Sequence, residues 1–231
     1  MVREFEINSF EEYHSVVFKH RETNYVFRGH SNINWELIPK VGRPAYSASF
    51  TSGIITEQSI LDSWKRYSQP HLIIQPKDDW EWLTLAQHHG LATRLLDWTR
   101  NPLVALYFAT ENPTTEEDVC VYILDYIKSI VLNTPHEPFK LDKSLVFYPK
   151  GISARVINQR GVLSLSHIPN KPLEEILLNS KFKKLIIKKK AIPEIRQILT
   201  LYSVNEYTIY QDLDSLSKNL NRFIIETLPL S

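Results

Sequence analysis

Two segments of the sequence place polar side chains inside apolar stretches. The first is YVFRGHSN at residues 25–32, where Arg28 ends an apolar, strand-like run and precedes Gly29. A guanidinium at the end of a rigid strand can point into a cleft, and its planar set of donors matches a phosphate or a carboxylate. The residues alone leave two interpretations open: an anchor for an anionic ligand, or an arginine on an edge strand that pairs with an acid such as Asp97.

The second segment, LAQHHGLATRLLDWTRNPLVALYFA at residues 85–109, mixes polar side chains with Leu, Trp and Phe. Because buried polar groups need hydrogen-bond partners, we expect these side chains to form a network rather than a solvated face. The network either holds a turn or also serves a ligand. Its expected members are Gln87, His88, Thr93, Arg94, Asp97 and Thr99.

Several kinds of catalytic site are not expected. His88 and His89 are adjacent, and adjacent side chains on a helix point about 100° apart, which is unsuited to sharing one metal ion. Cys120 lies in the apolar run VCVYIL, which is typical of a buried and inert thiol. The six glycines form neither a Walker phosphate loop nor a dinucleotide-binding fingerprint. The sequence therefore argues against a metal site, a kinase, a P-loop NTPase and a Rossmann dehydrogenase.

The composition is that of an ordinary folded protein. The 231 residues are 43% hydrophobic and 23% charged, and the net charge of +1 requires neither a nucleic acid nor a membrane as partner. The single cysteine excludes an internal disulfide. Because there is no apolar run near 18 residues and no signal-peptide core, we expect a cytoplasmic protein. The basic stretch KFKKLIIKKK at residues 181–190 is either a contact for phosphate backbones or, as we favour, solubilising charge at a sheet edge.

Hydrophobic spacing and end signals predict the elements that must position these residues. Ser9 with Glu12 predicts a helix to about His20, and Asn101 followed by Pro102 predicts a helix through Ala109. The other predicted helices span residues 54–67, 80–89, 192–201 and 213–223, and the predicted strands span residues 25–28, 119–124, 145–148, 162–166 and 182–188. This order of elements predicts an α+β fold, a single domain over residues 1–231 and a helical C-terminal portion.

Several motifs resemble the FRG domain, which is named for the Phe-Arg-Gly found here at residues 27–29. The block QHHGLATRLLDWTRNPLVALYFA is similar to that family's second signature, with its TRLLDWT core at residues 93–99. Weaker similarities lie at residues 155–162 and 210–216, so the motifs extend from residue 25 to about residue 220. FRG domains are bacterial and phage-associated proteins of largely unassigned activity, and the resemblance implies a role in phage defence or as a toxin.

The segment DWTRNPLVALYFA also resembles part of the arginine-serine-glutamate ADP-ribosyltransferases. In those enzymes a strand ending in aromatic-Arg-Gly holds NAD, and a second strand precedes a helix of the form V-A-x-x-F-A. This resemblance implies a mixed sheet flanked by helices, NAD or a related nucleotide as substrate, and no metal. The catalytic residues that it implies are Arg28, Asp97, Thr99 and Gln159, and the NAD-binding residues are Arg28, Gly29, His30, His88, Arg94 and Arg155.

The sequence departs from those transferases at their catalytic glutamate. The corresponding stretch has Gln159, which can bind the ribose but adds no negative charge. Two functions therefore stay open: an NAD-using transferase with a protein or nucleic-acid acceptor, or a non-catalytic module that binds a nucleotide or a nucleic acid. A third interpretation makes Arg28, Arg94 and Asp97 a buried, purely structural ion network. We expect both Arg28 and Asp97 to be buried around one cleft.

Overall fold

The computed structural model describes residues 2–22, 24–51, 53, 55–112, 117–135, 137–149, 161–178 and 180–226. Within these ranges the strands are β1 (Arg3–Ile7), β2 (Tyr25–His30), β3 (Leu95–Thr99), β4 (Val119–Asp125), β5 (Ile130–Val131), β6 (Leu145–Phe147), β7 (Gly161–Leu165) and β8 (Lys181–Ile187). The helices are α1 (Phe10–Phe18), α2 (Pro44–Thr51), α3 (Glu57–Ser68), α4 (Asp79–His88), α5 (Pro102–Thr110), α6 (Leu173–Ile176), α7 (Ile192–Leu201), α8 (Glu206–Tyr210) and α9 (Leu213–Glu226). This succession confirms the α+β class and the helical C-terminal portion. None of the helices in these ranges has the length and apolar character needed to cross a bilayer.

The described strands form one mixed sheet in the order β1-β8-β4-β2-β3-β7-β6-β5. The pairs β1–β8 and β5–β6 are parallel, and the other neighbours are antiparallel. Because β2 is an interior strand, the edge-strand interpretation of Arg28 is wrong. The prediction that the lysine-rich strand lies at a sheet edge is also wrong, since β1 covers β8. Acidic residues of β1 pair with lysines of this segment: Glu4 lies 3.8 Å from Lys184, and Glu6 lies 2.8 Å from Lys188, just after β8.

The sheet opens between β2 and β3. These strands share a single residue pair, Phe27 with Thr99, whereas β2 and β4 share six pairs and β3 and β7 share five. Continued antiparallel pairing would place Gly29 opposite Asp97, but that pair does not form. The two strands therefore diverge beyond Phe27 and Thr99.

The hydrophobic core has a cluster on each face of the sheet and a third beneath α3 and α4. Phe27 packs in the cluster that includes α1, α5 and α7, whereas Val26 packs in the cluster on the other face. Since side chains alternate along a strand, Arg28 shares the face of Val26, and Gly29 faces α5. Cys120 is fully buried, and this burial raises the pKa of its thiol to about 12. The prediction of a buried, inert thiol is confirmed.

Local sequence signals explain several element ends. The Asp78 side chain caps α4 by accepting a hydrogen bond from the Glu81 N–H at 2.9 Å. Asn101 caps α5 with Pro102 at the first helical position, as predicted. The helix predicted from residue 54 instead begins at Glu57, because Thr56 and Ser59 form a capping box there.

Candidate functional site

A cavity of about 340 Å³ lies where β2 and β3 diverge. Its volume falls near the lower end of the roughly 300–1,000 Å³ range typical of small-molecule sites. Strands β2, β3 and β7, helices α4 and α5 and the loop after β2 all contribute to its lining. The lining residues are Phe27, Arg28, Gly29, His30, Ser31, Trp35, Arg43, Thr84, Gln87, His88, Asp97, Trp98, Thr99, Ala105, Phe108, Pro149, Gly161, Val162 and Leu163.

The Arg28 side chain bridges the gap between the diverging strands. Its Nη1 donates to the main-chain oxygen of Asp97 at 2.8 Å, and its Nε donates to Nε2 of His30 at 3.0 Å. Burial lowers the pKa of Arg28, and the charge of Asp97 partly offsets this effect. A guanidinium nevertheless stays charged in proteins. Its Nη2 has no hydrogen-bond partner in the part of the chain that the structure describes, so Arg28 can hold both strands and still donate to a ligand.

His30 orients Arg28 as a neutral side chain. Its Nε2 accepts the hydrogen bond from Arg28, so the ring proton belongs on Nδ1, which lies 3.1 Å from the main-chain oxygen of Trp35. The pKa of His30 is lowered to about 3, mainly by burial and secondly by the charge of Arg28. His30 therefore adds no charge to the cavity near neutral pH, and it fixes the Nε edge of the guanidinium.

The buried His30 is expected to make stability depend on pH. The unfolded residue takes up a proton near its ordinary pKa of 6.5, whereas the folded residue does so only at about 3. The stabilisation is therefore full above about pH 6.5 and is lost as the pH falls from there towards 3, by at most about 1.4 kcal/mol per pH unit. Urea unfolding at several pH values should show that the free energy of unfolding falls less steeply with decreasing pH for His30→Gln than for the wild type. His71→Gln, which removes an exposed histidine, should retain the wild-type slope; parallel curves for wild type and His30→Gln would contradict this origin of the pH dependence.

A hydrogen-bond chain orients the carboxylate of Asp97. The Gln87 amide donates from Nε2 to Oδ1 of Asp97 at 2.9 Å, and the Thr93 hydroxyl donates to the amide oxygen of Gln87. The other carboxylate oxygen lies 4.0 Å from Nη1 of Arg28, and the Asp97 side chain is 66% exposed. The expectation that Asp97 is buried is wrong, because the strands diverge at this point. Asp97 supplies the cavity with an oriented, solvent-accessible carboxylate.

Arg94 lies apart from the cavity. Two of its nitrogens contact the carboxylate of Glu57 at 2.9 and 2.6 Å, and its guanidinium lies over the ring of Phe139 at 5.2 Å. This pairing ties the start of β3 to α3. The interpretation of Arg94 as one ion network with Arg28 and Asp97 is therefore wrong.

The structure places the other predicted site residues as follows. Thr99 and His88 line the cavity, and the Thr99 hydroxyl also accepts the Asn101 N–H at 3.1 Å in the turn before α5. The predicted site residues Arg155 and Gln159 lie outside the described residues.

Gly29 allows β2 and α5 to approach each other closely. A Cβ built on Gly29 would overlap the carbonyl oxygen of Ala105 and lie 2.6 Å from the nitrogen of Ala109. Only a residue without a side chain fits between these two backbones. Gly29 thus shapes the cavity wall by packing, whereas its neighbour Arg28 places hydrogen-bond donors in the cavity lining.

The lining residues that were not predicted from the sequence include Trp35 and Arg43. Trp35 is 43% exposed, and Arg43 is also exposed. Both belong to the connection between β2 and α2, where no recognisable motif marks them. Together with Phe108 of α5, Trp35 gives the cavity aromatic surfaces beside its charged groups.

Comparison with known proteins finds one similar family. The family model of the FRG domain matches residues 23–118, a range that includes β2, β3, α5 and most of the cavity lining. No curated protein and no solved structure matches the chain. The chain is therefore similar to the FRG domain over residues 23–118.

Proposed function

We propose that the cavity between β2 and β3 binds a nucleotide through its phosphate groups, and that this nucleotide is NAD. The observation that carries the proposal is the Arg28 guanidinium, which lies in the gap between two strands with Nη2 unpartnered among the described residues. A largely buried guanidinium forms charge-assisted hydrogen bonds with phosphate oxygens that are about twice as strong as neutral ones. The surrounding side chains hold Arg28 in place before a ligand arrives.

The cavity also has surfaces suited to the flat part of a nucleotide. Trp35 and Phe108 offer aromatic faces on which a base or a nicotinamide ring can stack. Apolar and aromatic walls with a few oriented polar groups are typical of small-molecule sites. These features favour a nucleotide over an inorganic anion.

Asp97 supports a catalytic role for the site. In ADP-ribosyl transfer the bond between nicotinamide and C1′ of the ribose breaks, and its electron pair leaves with nicotinamide. Positive charge then develops on the ribose, and a fixed carboxylate that accepts a hydrogen bond from a ribose hydroxyl stabilises that charge. A nucleophile from a protein, a nucleic acid or water bonds to C1′ and loses its proton. We assign the carboxylate to Asp97, with Thr99 bracing the adjacent turn, in a phage-defence or toxin effector.

The second candidate function is a module that binds a nucleotide or a nucleic acid without turnover. It is favoured by the balance of charge, because Arg28 and Arg43 face the cavity while Asp97 is the one carboxylate in its described lining. Under this alternative NAD binds without release of nicotinamide. A nucleic-acid ligand would lose affinity steeply as salt rises, since binding releases counterions.

The proposal is tested by measuring NAD binding and nicotinamide release for the wild type and Arg28→Ala, with thermal unfolding in parallel. Loss of charge-assisted hydrogen bonds is expected to weaken NAD binding about 10- to 100-fold. Arg66→Ala, which removes an exposed arginine of α3, should bind NAD as the wild type does. Because Arg28 also joins two strands, Arg28→Lys provides a variant that keeps the charge and loses the planar set of donors.

The outcomes separate the hypotheses. A folded Arg28→Ala variant with unchanged binding and release would show that Arg28 is no anchor. A wild type that binds NAD without releasing nicotinamide selects the non-catalytic module. A wild type that does neither overturns NAD as the ligand.

A further inference from the structure

A second guanidinium, that of Arg43, faces the same cavity. Arg43 follows the 3₁₀ turn at Lys40–Gly42 and precedes α2. Its Nε makes a long contact of 3.5 Å with the main-chain oxygen of Ile38. It forms no ion pair with any residue that the structure describes. Most of its donors are therefore available to a ligand.

The backbone that carries Arg43 is held firmly in place. A Cβ built on Gly42 would overlap the carbonyl group of Pro169, so this turn packs directly against another backbone segment. The Val41 N–H also donates to the main-chain oxygen of Thr93 at 3.3 Å. Arg43 thus projects from a turn that packing holds in place, rather than from an unsupported loop.

The two arginines repel each other. The charge of Arg43 lowers the pKa of both Arg28 and His30, which places the three groups within electrostatic reach of one another. Asp97 supplies one negative charge against these two positive charges. The described lining therefore keeps a net positive charge, which favours an anionic ligand. A ligand with two adjacent anionic groups would accept hydrogen bonds from both guanidinium groups at once, whereas a ligand with one would leave the donors of one arginine unused.

We infer that the cavity selects a diphosphate, with one phosphate bound by Arg28 and the second by Arg43. Within the proposed function, on which this rests, the diphosphate is the one that joins the two halves of NAD. Arg43 then becomes a specificity-determining residue: it contributes to the affinity for diphosphates and little to that for monophosphates. Arg28, which bridges the gap between β2 and β3, contributes to both.

Calorimetric titration with four probes tests this assignment: ADP, AMP, inorganic pyrophosphate and inorganic phosphate. We expect the wild type to bind ADP and pyrophosphate more tightly than AMP and phosphate. Arg43→Met should weaken binding of the two diphosphates about tenfold or more while changing monophosphate binding less than about twofold. Arg66→Met, which removes the same charge from an exposed site on α3, is the matched control and should leave all four affinities unchanged.

The results distinguish the inference from the proposed function. If the wild type binds ADP but Arg43→Met weakens ADP and AMP equally, or weakens neither, the diphosphate inference is wrong and the nucleotide proposal stands. If pyrophosphate binds in an Arg43-dependent manner while ADP and NAD do not, the diphosphate inference stands and the nucleotide proposal fails. Failure of all four probes to bind overturns the inference. Because Arg43 is exposed and pairs with no described acid, we expect Arg43→Met to keep the thermal stability of the wild type.

Discussion

Replacing Gly29 with alanine is expected to destabilise the protein by at least about 3 kcal/mol, the upper part of the range for overpacked sites. The added methyl group would overlap the Ala105 carbonyl oxygen and approach the Ala109 nitrogen to 2.6 Å. Both atoms belong to the backbone of α5, so no side-chain rotation relieves the overlap. Helix α5 would have to move away from β2, which would open the cluster around Phe27. Chemical denaturation of wild type and Gly29→Ala measures the loss directly.

Gly90→Ala is the appropriate control for this prediction. Gly90 has a φ of +88° and no atom within 4 Å of a built Cβ, so alanine there meets conformational strain but no overlap. That strain is expected to cost about 1–2 kcal/mol. Gly29 does not have such a φ, and its cost comes from packing. Equal destabilisation by the two substitutions would contradict the packing role of Gly29.

Adjacent residues of the Phe-Arg-Gly motif thus have different roles because they lie on alternate faces of β2. Phe27 and Gly29 face α5, where one fills the core and the other permits close approach. Arg28 faces the opposite side and bridges to the backbone of Asp97. The motif therefore fixes a strand against a helix and, by the same geometry, presents a guanidinium in the gap beside β3.

The parts of the fold that could be predicted from the sequence are those that local chemistry determines. Asn101 and Pro102 marked the start of α5, because a side-chain cap and a preset φ act over a few residues. Ser9 was likewise identified as the cap of α1, and its hydroxyl accepts the Glu12 N–H at 3.3 Å. The strand in DWTRNPLVALYFA was expected only from the resemblance to the transferases, and it is present as β3 ahead of α5.

Long-range pairing explains what could not be predicted. Strand β1 was missed because three of its five residues are charged, which leaves too few apolar positions to predict a strand. It forms through its pairing with β8, which joins Arg3 to Lys183. Asp97 is exposed because β2 and β3 share only one residue pair. No local pattern in the sequence predicts where that pairing stops. The turn before Arg43 packs against Pro169, far away in the sequence, and no local pattern predicts this contact.

Asp97→Asn is expected to reduce nicotinamide release about 100- to 1,000-fold while leaving NAD binding nearly unchanged. Losses of this size are typical when one group that stabilises transition-state charge is removed. Asparagine keeps the shape of the side chain and can still accept the hydrogen bond from Gln87. The bond from Arg28 goes to the main chain of residue 97, so it survives the substitution. Because the side chain is 66% exposed, the thermal stability should also be retained.

The pattern of effects across three variants identifies the role of the carboxylate. Asp62→Asn removes an exposed carboxylate of α3 and should release nicotinamide at the wild-type rate. Gln87→Leu keeps Asp97 but removes the donor that orients it, so release should fall by less than in Asp97→Asn, with binding preserved. If Asp97→Asn instead weakened NAD binding and left the rate of release from bound NAD unchanged, Asp97 would be a binding residue. The charge that assists bond cleavage would then have to come from a different group, because a carboxylate that stabilises only the transition state acts on the rate and not on the affinity.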